Sequence, residues 1–243
     1  VEKSAWMTHD DVYNGDLAKW VKFANSLKLR LAVRVSHKLP GEAKKWAEEA
    51  VRAGVIENNA ENAMKPTSDN PFYKMSNNWG DTRCGADIIS YMNAFSDPRR
   101  EAYFEKTNRS GNDVYFGLRS GVAVPAKEEL INAASNIYSR PKVTVSDPVV
   151  WMTASEVSFL RAEGALKKWN MGGSAKELYV KGIELSMNMH NVSMGNYLEN
   201  TSKRGAFSDV RYPAFDSPAF SSNVTVKWSD NEKDNLGQII TQK

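Results

Sequence analysis

The apolar pattern of residues 16–36 constrains the fold of this chain more than any other feature of the sequence. Apolar side chains recur there at steps of three and four residues, which places them on one face of an α-helix. The side chains on this face are Leu17, Trp20, Ala24, Leu27, Leu31 and Val35. Phe23, Leu29 and Val33 lie off that face, and a helix that is apolar on more than one side packs between other elements. The segment therefore predicts a central core helix with this face buried.

Turn and cap residues mark the ends of this helix and introduce a second one. Asn14-Gly15-Asp16 supplies a turn and a cap before the first helix, and Pro40-Gly41 follows its end. In residues 42–53, alanines recur at steps of four and three, and such small side chains let two helices approach closely. These are Ala43, Ala47 and Ala50. Because the link is short, the two helices are predicted to be antiparallel neighbours over residues 16–53.

A second helical hairpin is predicted at residues 154–191. In its second helix, Ala175, Tyr179 and Gly182 follow the small–aromatic–small spacing of the second helix of a tetratricopeptide unit. The alanines of the first hairpin share this spacing without the aromatic residue. Two hairpins with one spacing predict a diverged helical repeat. Since such a stack normally needs more than two units, we expect further units outside this sequence.

Irregular segments separate and follow the hairpins. Residues 55–150 and 194–229 are rich in Asn, Gly, Pro and Ser, and long inserts of this kind usually carry function. Within and after them we predict helices at 85–95 and 126–137, short strands at 114–116, 142–145 and 224–228, and a last helix from Asp230 or Asn231. The predicted fold is all-α. It is one helical-repeat domain over residues 1–243, with tetratricopeptide-like hairpins, loop-rich inserts and at most a few short strands.

Composition excludes several classes of function. Apolar residues make up 41% of the chain and charged residues 25%, which are ordinary globular values. The formal net charge of +3 is too small to predict a nucleic-acid partner. No apolar run in the sequence approaches the length of a membrane span. The single cysteine, Cys84, rules out an internal disulfide.

The sequence predicts neither a metal site nor a cofactor. Residues 10–16 are superficially similar to a calcium loop, but Val12 and Val21 stand where ligands are required. A turn followed by a helix cap is therefore the prediction for this segment. The histidines lie far apart and lack the paired spacing of a zinc site. They are His9, His37 and His190.

No catalytic constellation is found in the sequence either, so we predict that the chain is not an enzyme. Cys84 has no local acid–base signature and is interpreted as a plain structural thiol. Glu156 and Glu163 share one predicted helix. A glycosidase would need two such acids to face each other across a cleft. We predict instead that Glu163 forms a structural ion pair with a neighbouring Arg or Lys, because most such carboxylates are structural.

Residues 70–83, read NPFYKMSNNWGDTR, combine the side chains that a sugar requires. Sugar rings stack their C–H faces on aromatic rings, and their hydroxyls bond to Asn, Asp and Arg. The predicted glycan-binding residues are Tyr73, Asn77, Trp79, Asp81 and Arg83. The alternative is that the aromatic side chains pin this segment to the helical body, because large apolar side chains are mostly buried.

Other aromatic residues receive different predictions. Tyr115, Phe116 and Arg119 form a second and less complete candidate for ligand binding. Trp151 and Trp169 border the second hairpin and are predicted to be part of the core.

Several segments together resemble the SusD-like (SusD/RagB) family. Residues 11–34, read DVYNGDLAKWVKFANSLKLRLAVR, are similar to its signature segment. Asp97-Pro98-Arg99 resembles a turn of the family, and residues 151–163, read WMTASEVSFLRAE, resemble its second signature. The likeness covers both hairpins and weakens in the inserts, which are the variable, ligand-facing regions of that family.

The resemblance implies a function. Members are glycan- and nutrient-capturing lipoproteins at the surface of the bacterial outer membrane. It implies a non-catalytic protein without a cofactor that captures an oligosaccharide, or another nutrient such as a peptide, and delivers it to a TonB-dependent (SusC-like) transporter. It also implies that this chain is a fragment whose lipid-carrying cysteine lies upstream of Val1. Two other classes stay open, namely a helical protein-interaction scaffold and a glycosidase.

Overall fold

The chain folds into helical hairpins joined by irregular segments, and the computed structural model describes residues 9–124, 126, 138–209 and 212–243. The helices are α1 (Leu17–Val35), α2 (Pro40–Ala53), α3 (Pro71–Tyr73), α4 (Ala86–Ala94), α5 (Arg100–Tyr103), α6 (Ala154–Leu166), α7 (Ala175–Met189) and α8 (Glu232–Gln242). The strands are β1 (Ala63–Lys65), β2 (Thr107–Arg109), β3 (Asn112–Val114) and β4 (Val149–Met152). The predicted all-α class with a few short strands is confirmed for the described part of the chain.

The first of two compact units consists of Val1–Thr67, Pro148–Asn191 and Trp228–Lys243. Here α1 packs against α2 and α6 packs against α7, so both predicted hairpins are confirmed. The helix α6 also contacts α1 and α8, which joins the two hairpins. The strands β1 and β4 pair antiparallel beside them.

Small residues set the distance between the helices of each hairpin. The buried residues of α2 are the three predicted alanines, Ala43, Ala47 and Ala50. In α7, a Cβ added at Gly182 would lie 2.6 Å from a ring carbon of Phe159 in α6. Real Cβ contacts are never so short, so the backbone of α7 reaches this ring only because residue 182 is glycine. The predicted repeat spacing therefore falls on the buried face of both hairpins.

Side-chain caps fix several helix boundaries near their predicted positions. The carboxylate of Asp16 accepts a hydrogen bond from the Lys19 N–H at 3.1 Å at the start of α1. Ser174 and Glu177 form a reciprocal capping box at the start of α7. Asn231 caps α8, as predicted for the last helix.

The predicted buried face of α1 is wrong. None of the residues on that face is buried, and Leu17 and Leu31 are 46% and 55% exposed. The helix instead buries the face that carries Ser26, Leu29, Ala32 and Val33. Its neighbours α2 and α6 cover this second apolar face, and the spacing of apolar residues alone does not tell which of two such faces is covered. Trp151 also departs from its predicted core position, since it is 41% exposed, whereas Trp169 is buried as predicted.

The second compact unit consists of Ser68–Asp147 and Val192–Lys227. It contains α3, α4, α5 and the antiparallel pair β2–β3, and α4 confirms the helix predicted at 85–95. Two small apolar clusters form its interior. One joins Ala86, Tyr138, Phe207 and Phe215, and the other joins Cys84, Ile89, Met92 and Phe104.

The short strands are predicted poorly. The strand expected at 114–116 overlaps β3 by one residue, and β1, β2 and β4 are not predicted at all. No strand forms at 142–145 or 224–228, because local hydrogen bonds make turns there. The Thr144 N–H donates to the Asp147 carboxylate at 2.7 Å, and the Thr225 hydroxyl donates to the Lys227 carbonyl at 3.0 Å. The helix predicted at 126–137 lies almost wholly outside the described residues.

Asp10 organises the turn before α1. Its carboxylate accepts hydrogen bonds from the backbone N–H groups of Val12, Tyr13 and Gly15 at 3.0, 3.2 and 2.8 Å. The indole N–H of Trp20 donates to the same carboxylate at 2.7 Å. The predicted turn and cap is therefore confirmed, because the Asp10 carboxylate accepts hydrogen bonds from N–H groups of the protein itself.

We expect Asp10 to make stability depend on pH. Burial opposes ionisation of this carboxylate, but the hydrogen bonds from Trp20 and the backbone outweigh it and hold its pKa below the ordinary 3.8. A lowered pKa contributes stability that is present above the unfolded-state pKa and lost as the pH falls through the folded-state value. Asp10→Asn should destabilise the protein by about 1–3 kcal/mol at about pH 7. Its free energy of unfolding should then fall less than that of the wild type between about pH 5 and pH 2 in urea titrations. Parallel pH profiles for the two proteins would contradict this expectation.

A matched pair of leucine variants tests which face of α1 is buried. Leu29 is fully buried and Leu31 is 55% exposed, although both lie in the same helix. Leu29→Ala should lower the free energy of unfolding by about 2–5 kcal/mol, because it leaves a cavity. Leu31→Ala should cost less than about 1 kcal/mol. Urea unfolding followed by circular dichroism measures both values, and equal losses would refute the assignment.

Candidate functional site

The segment 70–83, predicted to bind a glycan, begins with a helical turn that widens along the chain. The helix α3 continues directly into a π-helical turn, Lys74–Asn78, in which the Trp79 N–H donates to the Lys74 carbonyl at 3.0 Å. Such turns are rare in proteins and are frequent at functional sites. The extra residue per turn shifts the positions of the side chains that follow it.

Asn70 anchors the base of this segment. Its side chain is 2% exposed and accepts hydrogen bonds from the N–H groups of Phe72 and Tyr73 at 2.8 and 3.3 Å. Its amide nitrogen donates to the Asp147 carbonyl at 2.7 Å, and its backbone N–H donates to the Val145 carbonyl at 2.9 Å. The start of the segment is thus tied to residues 145–147 of the same unit.

Two aromatic side chains of the segment face solvent. Phe72 is 52% exposed and Trp79 is 55% exposed, while Tyr73 is partly buried. The alternative that the aromatic residues pin the segment to the protein expects buried rings, whereas Phe72 and Trp79 are each more than half exposed. Exposing a large aromatic surface to water is unfavourable in free energy. Such surfaces are typical of places where a partner or ligand binds.

The predicted polar residues lie in the same segment. Asn77 is partly buried and Asp81 is exposed, with the Asp81 N–H donating to the Met75 carbonyl at 2.9 Å. Arg83 is partly buried, and its Nη1 donates to the carbonyl oxygens of Gly80 and Thr82 at 3.2 and 2.8 Å. The guanidinium therefore lies against the peptide that directly follows Trp79.

Two residues of the second candidate, Phe116 and Arg119, make structural contacts. The guanidinium of Arg109 lies 3.6 Å from the centre of the Phe116 ring, which also packs 5.4 Å from the Phe207 ring. Arg119 donates to the carbonyl oxygens of residues 215 and 216 at 3.3 and 2.9 Å. These residues hold the second unit together.

The structure contains buried ion networks that were not predicted from the sequence. The Asp97 carboxylate pairs with Arg99 at 2.5 Å and accepts a hydrogen bond from the Tyr197 hydroxyl at 2.6 Å. The Asp97-Pro98-Arg99 turn recognised in the sequence is thus part of a buried network. A similar network joins Asp209 to Arg109 at 2.9 Å and to the Tyr138 hydroxyl at 2.6 Å. Burial and the Asp209 carboxylate raise the pKa of Tyr138, so its hydroxyl stays protonated as the donor.

The anchoring role of Asn70 was not predicted from the sequence either. The available signal is an asparagine directly before a proline, which is the pattern of an N-cap followed by a proline at the first helical position.

The groups weighed for catalysis all have structural partners. Glu163 pairs with Lys243, which confirms its predicted structural ion pair, and Glu156 pairs with Arg30 at 2.7 Å. Burial raises the pKa of Cys84 to about 12, so its thiol is not a ready nucleophile. Among residues 9–124, 126, 138–209 and 212–243, no three His, Cys, Asp or Glu side chains are placed to hold a metal ion. Within the same ranges, no helix has the length and apolar character needed to cross a membrane.

Comparisons with known proteins agree with the sequence resemblance. The family model described as "Susd and RagB outer membrane lipoprotein" matches residues 1–243. No curated protein matches the chain.

Solved structures of SusD homologues are similar to the whole chain. One from Bacteroides thetaiotaomicron VPI-5482 is 43% identical with a TM-score of 0.91, over 100% of this chain and 51% of that one. One from Bacteroides ovatus ATCC 8483 is 41% identical with a TM-score of 0.85, over 97% and 51%. A chitin-binding SusD homologue from Flavobacterium johnsoniae is 36% identical with a TM-score of 0.88, over 98% and 50%. The chain spans about half the length of these structures, and it belongs to the SusD/RagB family of outer-membrane lipoproteins.

Proposed function

We propose that this chain is part of a non-catalytic carbohydrate-binding protein whose ligand stacks on segment 70–83. The observation that carries the proposal is the exposure of Phe72 and Trp79, 52% and 55%, on a turn whose base is buried. A rigid base reduces the entropy lost when a ligand binds. The chitin-binding homologue supports a carbohydrate as the ligand class.

The chemistry of the segment suits a sugar. The face of the Trp79 indole offers a flat apolar surface to the C–H face of a sugar ring. Asn77, Asp81 and Arg83 offer donors and acceptors to its hydroxyl groups. Because each of these hydrogen bonds replaces one with water, the affinity should be modest.

We further infer that the whole protein delivers its ligand to a TonB-dependent (SusC-like) transporter at the outer membrane. Membership of the SusD/RagB family supports this role. A lipid anchor upstream of this chain would hold the protein at the cell surface.

A protein-interaction scaffold is the second candidate function. The observation that favours it is an open groove of about 590 Å³ between α1 and α2. Its apolar lining includes Leu27, Leu31, Val35 and Trp46. A groove of this kind fits an amphipathic helix.

A pair of tryptophan variants tests the carbohydrate proposal. Trp79→Ala removes the proposed stacking surface, and Trp151→Ala removes a tryptophan that is 41% exposed in the other unit. In titration calorimetry against a glycan panel that includes chitooligosaccharides, Trp79→Ala should weaken binding at least about tenfold, or about 1.4 kcal/mol. Trp151→Ala should bind as the wild type does. Equal binding by the two variants, or no heat from any glycan with the wild type, would contradict the proposal.

A further inference from the structure

Arg83 is a partly buried arginine of the second unit, and its buried Nε has no hydrogen-bond partner among the described residues. Within the described residues it makes no ion pair, and Nη1 donates only to two backbone carbonyls, of Gly80 and Thr82. The arginines of this unit that do pair with acids are Arg99 with Asp97, Arg109 with Asp209, Arg140 with Glu105 and Arg204 with Asp87.

The surroundings of Arg83 make its positive charge costly. Its Nε is buried and has no hydrogen-bond partner among the described residues. Burial, and then the positive charge of Arg140, lower the pKa of this guanidinium. It remains charged at neutral pH all the same, because an arginine does not deprotonate in proteins. A partly desolvated cation beside a second cation favours an anion in contact with it.

Among the described residues, the neighbouring charged groups form ion pairs that do not include Arg83. Lys74 pairs with Asp69 at 2.6 Å and Arg140 pairs with Glu105 at 3.0 Å, so both of those cations already have an acid. Asp81 is the one carboxylate within the sequence of segment 70–83, and it forms no ion pair with Arg83 in the described structure. An anion supplied by a ligand would give Arg83 the acidic partner that Lys74 and Arg140 already have.

We propose that the glycan bound by segment 70–83 is acidic and that Arg83 binds the carboxylate of one of its uronic acid residues. The inference rests on the proposed function, since it concerns the same segment. Two carbonyl oxygens hold Nη1 and so fix the guanidinium beside the peptide that follows Trp79. Nη2 has no acceptor among the described residues, and a carboxylate is the acceptor that matches a guanidinium best. Gly80, whose carbonyl accepts from Nη1, directly follows Trp79 in the sequence, so the guanidinium lies beside the backbone that carries the indole.

Matched acidic and neutral glycans test the proposal. The probes are oligosaccharides of galacturonate, alginate and hyaluronan, each compared with its own methyl ester, which keeps the sugar and removes the charge. In titration calorimetry at low salt, the wild-type protein should bind at least one acidic probe about tenfold or more tightly than its ester. Arg83→Gln should bring the ratio of the two affinities close to one. Lys74→Gln is the matched control, because it removes a cation of the same segment that is already paired, and it should keep the preference.

The outcomes separate this inference from the proposed function. If esters or neutral chitooligosaccharides bind as tightly as the acids, or if Arg83→Gln keeps the preference for the acidic probes, Arg83 does not select the glycan by its charge. In that case the inference is wrong, and carbohydrate binding by Trp79 stands. If the wild type binds no glycan of either kind, both proposals are wrong.

Discussion

The close contact between α6 and α7 is the constraint on which the helical unit depends. Gly182 lets the backbone of α7 meet the ring of Phe159, and a side chain at this position would push the helices apart. The contact leaves most residues of α6 buried, and this helix in turn contacts α1 and α8. An element buried on most sides fixes the positions of all its neighbours, because close-packed interiors transmit small changes in volume.

The second unit is stabilised in a different way. Its helices are short, and its interior consists of two small apolar clusters together with buried ion networks around Asp97 and Asp209. Burying a charge is costly unless its partners satisfy it, and each of these carboxylates has both a guanidinium and a tyrosine hydroxyl. Such networks hold irregular backbone in one arrangement. This allows the segment 70–83 to present aromatic side chains to solvent from a fixed base.

The parts of the fold that are encoded locally could be predicted from the sequence. Helix boundaries followed from caps such as Asp16 and Asn231, and the close hairpins followed from the spacing of alanines and of Gly182. The buried face of α1 could not be predicted, because the neighbours of a helix with two apolar faces decide which one is covered. The strand expected at 142–145 failed because the Asp147 side chain makes a turn that competes with a sheet.

The composition of segment 70–83 was enough to select it as a candidate site, since it mixes aromatic and polar residues. Three facts came only from the structure, because they depend on contacts between distant residues. These are the anchoring of Asn70 to residues 145–147, the exposure of the Trp79 ring and the unpaired state of Arg83 among the described residues. A sequence shows which side chains are present in a loop, but their exposure is set by the rest of the fold.

The central claim is that ligand contact occurs on the exposed indole of Trp79. Fluorine NMR of protein labelled with 5-fluorotryptophan tests it directly, because each of the seven tryptophans gives its own signal and Trp79→Phe assigns the relevant one. On addition of a bound glycan, the signal of Trp79 should shift while those of Trp151 and Trp169 stay in place. A shift at Trp151 with an unchanged Trp79 signal would contradict the claim and place the ligand elsewhere on the protein.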